Sequence, residues 1–236
     1  MNALLIFLKE PIPGKVKPRL AATVGEDEAV KRYRSMVAVL LEQLEGLNNT
    51  HVRFCYAPDD AADAIKFWLL PQFRGHTVTQ GDSFLFTPLK NATPFTIDFM
   101  AQGDGDLGQR LKRATSQAFD DGYQKVAVMG TGCVHCGSRW INTAFSQTTP
   151  MRCIIGPSGD GGYYLLATAK KSEGLFHNIP WSSENTLSKT EQAASAIDLT
   201  VLRLPQLVNI EDESSWEVVL SSAIGGKLRA ALKREA

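Results

Sequence analysis

Short continuous apolar runs alternate along this chain with longer segments of helical spacing. Residues 3–8 (ALLIFL) are apolar throughout, as expected of a strand buried on both faces. Residues 26–47 put Tyr33, Met36, Val37, Leu40, Leu41 and Leu44 on one helical stripe. Residues 51–57 predict a second strand, and residues 58–60 a turn into a helix that runs to position 70. Strands follow at 95–102, 125–130, 151–155 and 163–169, and an extended stretch at 200–204. Helices are expected from about 107 to 122, at 138–145, 185–197 and 214–233, the last interrupted at Gly225 and Gly226. Residues 71–94 mix Gly, Pro, Thr and Phe without a clear period and suit an insertion or a short hairpin. Strands alternating with helices predict an α/β fold: a Rossmann-like, mostly parallel sheet flanked by helices. No repeat, linker or low-complexity tract interrupts the pattern, so residues 1–236 are expected to form a single domain.

Composition narrows the function classes. Hydrophobic residues make up 44% of the 236, enough for a sizeable core. The 25 basic and 25 acidic residues balance, which removes the global attraction to a polyanion that a general nucleic-acid binder needs. Four cysteines do not suggest a disulfide scaffold. The apolar run before Lys9 is too short for a signal peptide, and no segment has the ~18 apolar residues of a membrane span. The expectation is a soluble cytoplasmic protein with reduced thiols.

The charge is uneven even so. Residues 1–20 carry Lys9, Lys15, Lys17 and Arg19 against Glu10 alone. The loop EPIPGKVKPRL follows the first strand, where an α/β sheet delivers its loops to the ligand crevice. Gly14 allows close backbone approach and the cations follow at once, which suits a diphosphate. The loop is not a Walker motif, because G-x-x-x-x-G-K-[ST] is absent.

Three further stretches carry chemistry. GDGDLG, residues 103–108, lies between a strand and a helix. It reads as a tight turn with Asp106 capping the helix, as a segment beside a nucleotide, or less well as a dinucleotide fingerprint, whose pyrophosphate Asp104 and Asp106 would repel. Its D-x-D string could also hold a divalent cation. GPSGDGGYYLL, residues 156–166, surrounds Asp160 with glycines, either as a hairpin turn or as backbone close to a ligand with Asp160 as base or metal ligand. VAVMGTGCVHC, residues 126–136, ends a strand in small residues where a metal-dependent phosphate enzyme would carry a carboxylate; the residue there is Gly132. Cys133 and Cys136 lack a second ligand pair, so buried thiols are expected rather than zinc. In VNIEDESSWEVV the acids suit a helix N-terminus, with Asn209 or Glu211 in reach of a metal.

The segments FLKEPIPGKVKPRL, QGDGDLGQRL, VMGTGC, GPSGDGGYYLL, IPWSS and LPQLVNIED together resemble the radical-SAM/selenodomain-associated transferase family, of the GT-A nucleotide-diphosphosugar transferase type, over essentially the whole chain. The resemblance implies a nucleotide over the first half of the sheet, its diphosphate near Gly14, Lys17 and Arg19, with Asp106 and Arg110 near the nucleotide. It implies a catalytic role for Asp160, and a Mg²⁺ or Mn²⁺ ion held by Asp160 and Glu211. The family usually has Asp at Gly132, Thr at Pro18, and aspartates at Asn209 and Glu211, which puts the metal in doubt. The function implied is glycosyl transfer from a nucleotide-diphosphate sugar to a small acceptor. The alternatives are a nucleotidyltransferase releasing pyrophosphate, and a nucleotide-binding protein that has lost catalysis.

Overall fold

The computed structural model describes residues 1–89 and 92–235. The first apolar run forms β1 (Asn2–Lys9), the centre of a nine-stranded sheet. The other strands are β2 (Thr50–Ala57), β3 (Gly75–Gln80), β4 (Ser83–Pro88), β5 (Phe95–Ala101), β6 (Lys125–Gly130), β7 (Arg152–Pro157), β8 (Tyr163–Thr168) and β9 (Thr200–Arg203), in the spatial order β3-β4-β5-β2-β1-β6-β8-β7-β9. The helices are α1 (Pro18–Val24), α2 (Glu26–Gln43), α3 (Ala62–Leu69), α4 (Leu107–Asp120), α5 (Ser138–Gln147), α6 (Thr186–Ser195), α7 (Glu213–Leu220) and α8 (Gly225–Leu232). Among the described residues this is one α/β domain.

The expected mostly parallel sheet is corrected to a mixed one. β5, β2, β1 and β6 are parallel, as is the β7–β9 pair, while β3–β4, β4–β5, β6–β8 and β7–β8 are antiparallel. The cause is chain length. Five residues separate β7 from β8 and two separate β3 from β4, too few for a parallel crossover, so each pair must fold back as a hairpin. The aperiodic stretch 71–94 thus holds a hairpin; its residues 90–91 lie outside those described.

Alternate residues of β1 explain its unbroken apolarity. Leu4, Ile6 and Leu8 face a core built with α2, α3 and α5, while Ala3 and Leu5 face α4 and α6. Helix α2 is buried on two sides. Tyr33, Val37, Leu40, Leu41 and Leu44 pack on the sheet, whereas Met36 and Val39 join Leu20, Trp216, Val219 and Leu228 beneath α1, α7 and α8. Met36 therefore leaves the single stripe expected for it. Gly225 and Gly226 open α8 rather than interrupt one long helix.

Reversing β8 and keeping β1 and β6 parallel brings four segments to one end of the sheet: the loops after β1 and β6, the turn before β8, and residues 204–212. The last is tied in by backbone hydrogen bonds from Leu207 N to Pro157 O and from Ile210 N to Gly132 O. No helix among the described residues is long and apolar enough to cross a membrane.

Candidate functional site

Those segments enclose a cleft of about 340 Å³. Its floor is the C-terminal end of β1 and the Gly130–Gly132 backbone, and its walls include Lys15, Lys17, Gln102, Tyr164, Asn209 and Glu211. A larger hollow of about 750 Å³ lies between α2, α3 and α8. Its cations Arg34, Arg74 and Arg234 are matched in its lining by Glu10, Glu42 and Glu235, so it offers little net charge to an anion.

Lys17 occupies the centre of the charge arrangement. Its backbone is left-handed (φ 45°, ψ 57°) as it caps α1, a conformation that costs a non-glycine residue about 1–2 kcal/mol. The side chain is 10% exposed, and its Nζ donates to Ile210 O at 2.6 Å and Glu211 Oε1 at 2.9 Å. Lys15, also on the cleft wall, donates its backbone N–H to Ile12 O at 3.0 Å, and its side chain makes no hydrogen bond or ion pair among the described residues. Arg19, expected at the diphosphate, does not line the cleft; its side chain is 67% exposed and its Nη2 lies 3.3 Å from Asp212 Oδ2. The reason is helical geometry: two residues beyond Lys17, Arg19 points to another side of α1. Gly14 (φ 74°) lies in the turn ahead of Lys15, outside the cleft lining, against the Glu26 carboxylate.

Asp160 stands behind Asn209. One oxygen accepts from Ser158 Oγ and from Gly162 N at 3.0 Å; the other accepts from Asn209 Nδ2 at 3.2 Å. Burial raises its pKa, but the hydrogen bonds from Ser158, Asn209 and Gly162 outweigh that and hold it below the ordinary carboxylate value. The turn needs glycine at 161, where φ is 80° and a Cβ would meet the Glu184 backbone at 2.3 Å. Asn209 Nδ2 also donates to Glu211 Oε1 at 2.9 Å, so one amide joins both carboxylates. Gly132 makes this possible: a Cβ there would lie 2.0 Å from Asn209 Oδ1 and 3.2 Å from Lys17 Nζ.

Asp160 and Glu211, expected as metal ligands, are here partners of Asn209 and Lys17. These residues do not fit a Mg²⁺ or Mn²⁺ ion. The amide donates to both carboxylates and the ammonium to one, and no group of three or more His, Cys, Asp or Glu among the described residues is placed to hold a metal.

Asp106 caps α4: its carboxylate accepts from Gln109 N at 2.9 Å and Gln109 returns a bond to Asp106 N at 3.0 Å. Neither it nor Arg110 lines the cleft. Arg110 reaches Gly105 O at 2.9 Å and Gln102 Oε1 at 3.4 Å. Gln102, missed in the sequence reading, is buried and donates to Leu8 O and Cys55 O, clasping the ends of β1 and β2. A polar residue directly after an apolar strand and before GDGDLG was the available signal. Tyr33, counted there as core, lines the cleft and bonds Lys9 O at 3.1 Å; burial pushes its phenol up to about 12 against hydrogen bonds at Lys9 and Thr131. Cys133 and Cys136 are buried, and burial pushes the Cys133 thiol up to about 12 and that of Cys136 well above the ordinary value. Neither is poised as a thiolate ligand.

Solved structures of similar fold are known. A protein from Desulfovibrio desulfuricans G20, provisionally named a nucleotide-diphospho-sugar transferase, is 30% identical; the match covers 99% of this chain and 97% of that one, with a TM-score of 0.77. A cytidylyltransferase from Leptospira borgpetersenii serovar Hardjo-bovis shares the fold at 12% identity and a TM-score of 0.53, over 99% of this chain and 94% of its own. A CMP:2-keto-3-deoxy-manno-octonic acid synthetase complexed with CTP does so at 9% identity and a TM-score of 0.52, over 100% and 99%. No curated protein gives a significant match. The family model for an uncharacterized protein conserved in bacteria (DUF2064) matches residues 40–183, and the chain belongs to that family.

Proposed function

We propose that this protein is a glycosyltransferase that takes a nucleotide-diphosphate sugar as donor and a small hydroxyl-bearing molecule as acceptor. The observation that carries the reading is the cleft at the C-terminal end of β1, where the Lys15 side chain, without a partner among the described residues, stands beside Lys17. In this reading Lys15 and Lys17 face the diphosphate, and Gly130, with nothing within 4 Å of where a Cβ would stand, leaves room for it. Arg110 and Asp106 act at one remove, the first through Gln102 and the second by fixing the start of α4. Gly14 shapes the turn that presents Lys15.

In the transfer, the acceptor oxygen bonds to the anomeric carbon of the sugar. The bond from that carbon to the β-phosphate oxygen breaks, and its electron pair leaves with the nucleoside diphosphate. The lysines offset the charge that develops there. The hydroxyl proton passes to Asp160 and on to water. With its pKa lowered, Asp160 is a weak base, so its main contribution is to orient the hydroxyl. The resemblance of the motifs quoted above to the radical-SAM/selenodomain-associated branch of GT-A type transferases supports this reading. A nucleotide-sugar donor and unpaired cysteines suit the reducing cytoplasm.

The fold likeness to the two cytidylyl-transferring enzymes favours a second reading, nucleotidyl transfer with release of pyrophosphate. Thermal shift with uridine, guanosine, cytidine and adenosine diphosphosugars and with the four nucleoside triphosphates finds the ligand. Phosphorus NMR of the products then separates the two: nucleoside diphosphate supports glycosyl transfer, pyrophosphate the alternative. Binding without either product supports a protein that retains the cleft and not the reaction. No stabilisation by any of these ligands would refute the nucleotide reading altogether.

A further inference from the structure

The charge arrangement in the cleft goes beyond what binding of a nucleotide requires. Glu211 Oε1 accepts from both Lys17 and Asn209, and Asn209 also holds Asp160. The ammonium of Lys17 lies 3.2 Å from where a Cβ of residue 132 would stand. A side chain at 132 and an untethered Asn209 are both needed to open a metal cage there, and neither is available. The strained backbone of Lys17 and its nearly buried side chain fix the cation in place, in contrast to a solvated surface lysine.

We propose that Lys17 is the resident cation of this site, and that the protein binds a nucleoside diphosphate without a divalent metal. The inference rests on the nucleotide reading above and concerns how that site neutralises its ligand. The cleft lining sets Lys9, Lys15 and Lys17 against Glu211, so the two negative charges on the diphosphate of a nucleotide sugar meet a matching positive excess. Lys17, tethered by Glu211 and Ile210 O, sits deep, and Lys15 closes from the exposed rim. Lys17 has a third ammonium proton left to donate once its two protein bonds are counted. Glu211 positions Lys17, and Asn209 keeps Glu211 and Asp160 apart from any metal by occupying both.

The test is isothermal titration of the wild-type protein with UDP, GDP, CDP and ADP, first in EDTA and then with 1 mM Mn²⁺ (about 1 mM being ample for typical enzyme metal sites). For the nucleotide that binds, the two dissociation constants are expected to agree within about threefold, and Mn²⁺ paramagnetic resonance is expected to show no metal taken up by the protein alone. Lys17→Met is expected to weaken binding in EDTA by at least about tenfold, with no recovery on adding Mn²⁺. Lys15→Met, at an exposed position that does not threaten folding, is expected to weaken it by about three- to tenfold. Wild-type binding that improves tenfold or more with Mn²⁺ overturns the proposal while leaving the nucleotide reading intact. So does undiminished binding by a folded Lys17→Met protein. Failure of all four nucleotides in both buffers overturns the proposal together with the reading beneath it.

Discussion

Gly132→Ala is the sharpest probe of how this cleft is assembled. The φ of Gly132 is not left-handed, so the backbone itself admits a side chain there. The obstacle is the Asn209 carboxamide, whose Oδ1 would lie 2.0 Å and Cγ 3.0 Å from the new methyl. Asn209 must swing away, and in doing so it releases Asp160 and Glu211. Hydrogen bonds to charged groups contribute about 1.5–3 kcal/mol each, and water recovers part of that in a half-open cleft, so the loss should come to about 2–3 kcal/mol. For a domain of this size, that lowers Tm by roughly 5–10 °C. In an Asn209→Ala background the obstacle is gone. The nearest remaining contact is Lys17 Nζ at 3.2 Å, the movable end of a long side chain. The same Gly132→Ala change should then cost less than about 1 kcal/mol, giving a coupling of about 2 kcal/mol between the two positions. Urea denaturation of the wild type, both single variants and the double variant measures it. Equal costs of Gly132→Ala in the two backgrounds would refute the placement of Asn209 over Gly132, and with it the account of why a metal does not fit.

Two other outcomes follow from groups away from the cleft. Asp98 accepts from Arg53 at 2.8 and 2.9 Å and lies 3.0 Å from His51 Nε2; burial raises its pKa, but these partners outweigh it and hold it below its ordinary 3.8. A depressed carboxylate stabilises the fold above its unfolded pKa and loses that contribution as pH falls through its folded value. Asp98→Asn should therefore cost about 2 kcal/mol at pH 7, with the gap to wild type narrowing below about pH 4 in chemical denaturation; a gap constant from pH 7 to pH 2 would be inconsistent with it. All four cysteines are free and buried, and burial raises each thiol pKa. A thiol reagent at pH 8 should label none within minutes in the native protein and all four after unfolding, whereas rapid native labelling of Cys133 or Cys136 would contradict their burial.

Much of this molecule was legible along the chain. The run ALLIFL fixed a central strand, because only a strand covered on both faces tolerates no polar position, and the helical stripe of residues 26–47 fixed a helix on the sheet. Asp106 as a cap of the following helix was among the readings of GDGDLG and is found in space, because that contact spans three residues. The direction of β8 and the second buried face of α2 were not legible. Each depends on which distant elements lie alongside, and periodicity carries no record of that. The site divides the same way. Basic residues after the first strand marked the loop that borders the cleft, but whether Lys17, Arg19 or Lys15 faced it turned on a left-handed residue and the pitch of α1. Position 132 announced itself by lacking a carboxylate. That Lys17 and Asn209 take up the space and the two acids emerged only from the tertiary structure, because residues as much as 194 positions apart meet there once the sheet has brought its loops to one end.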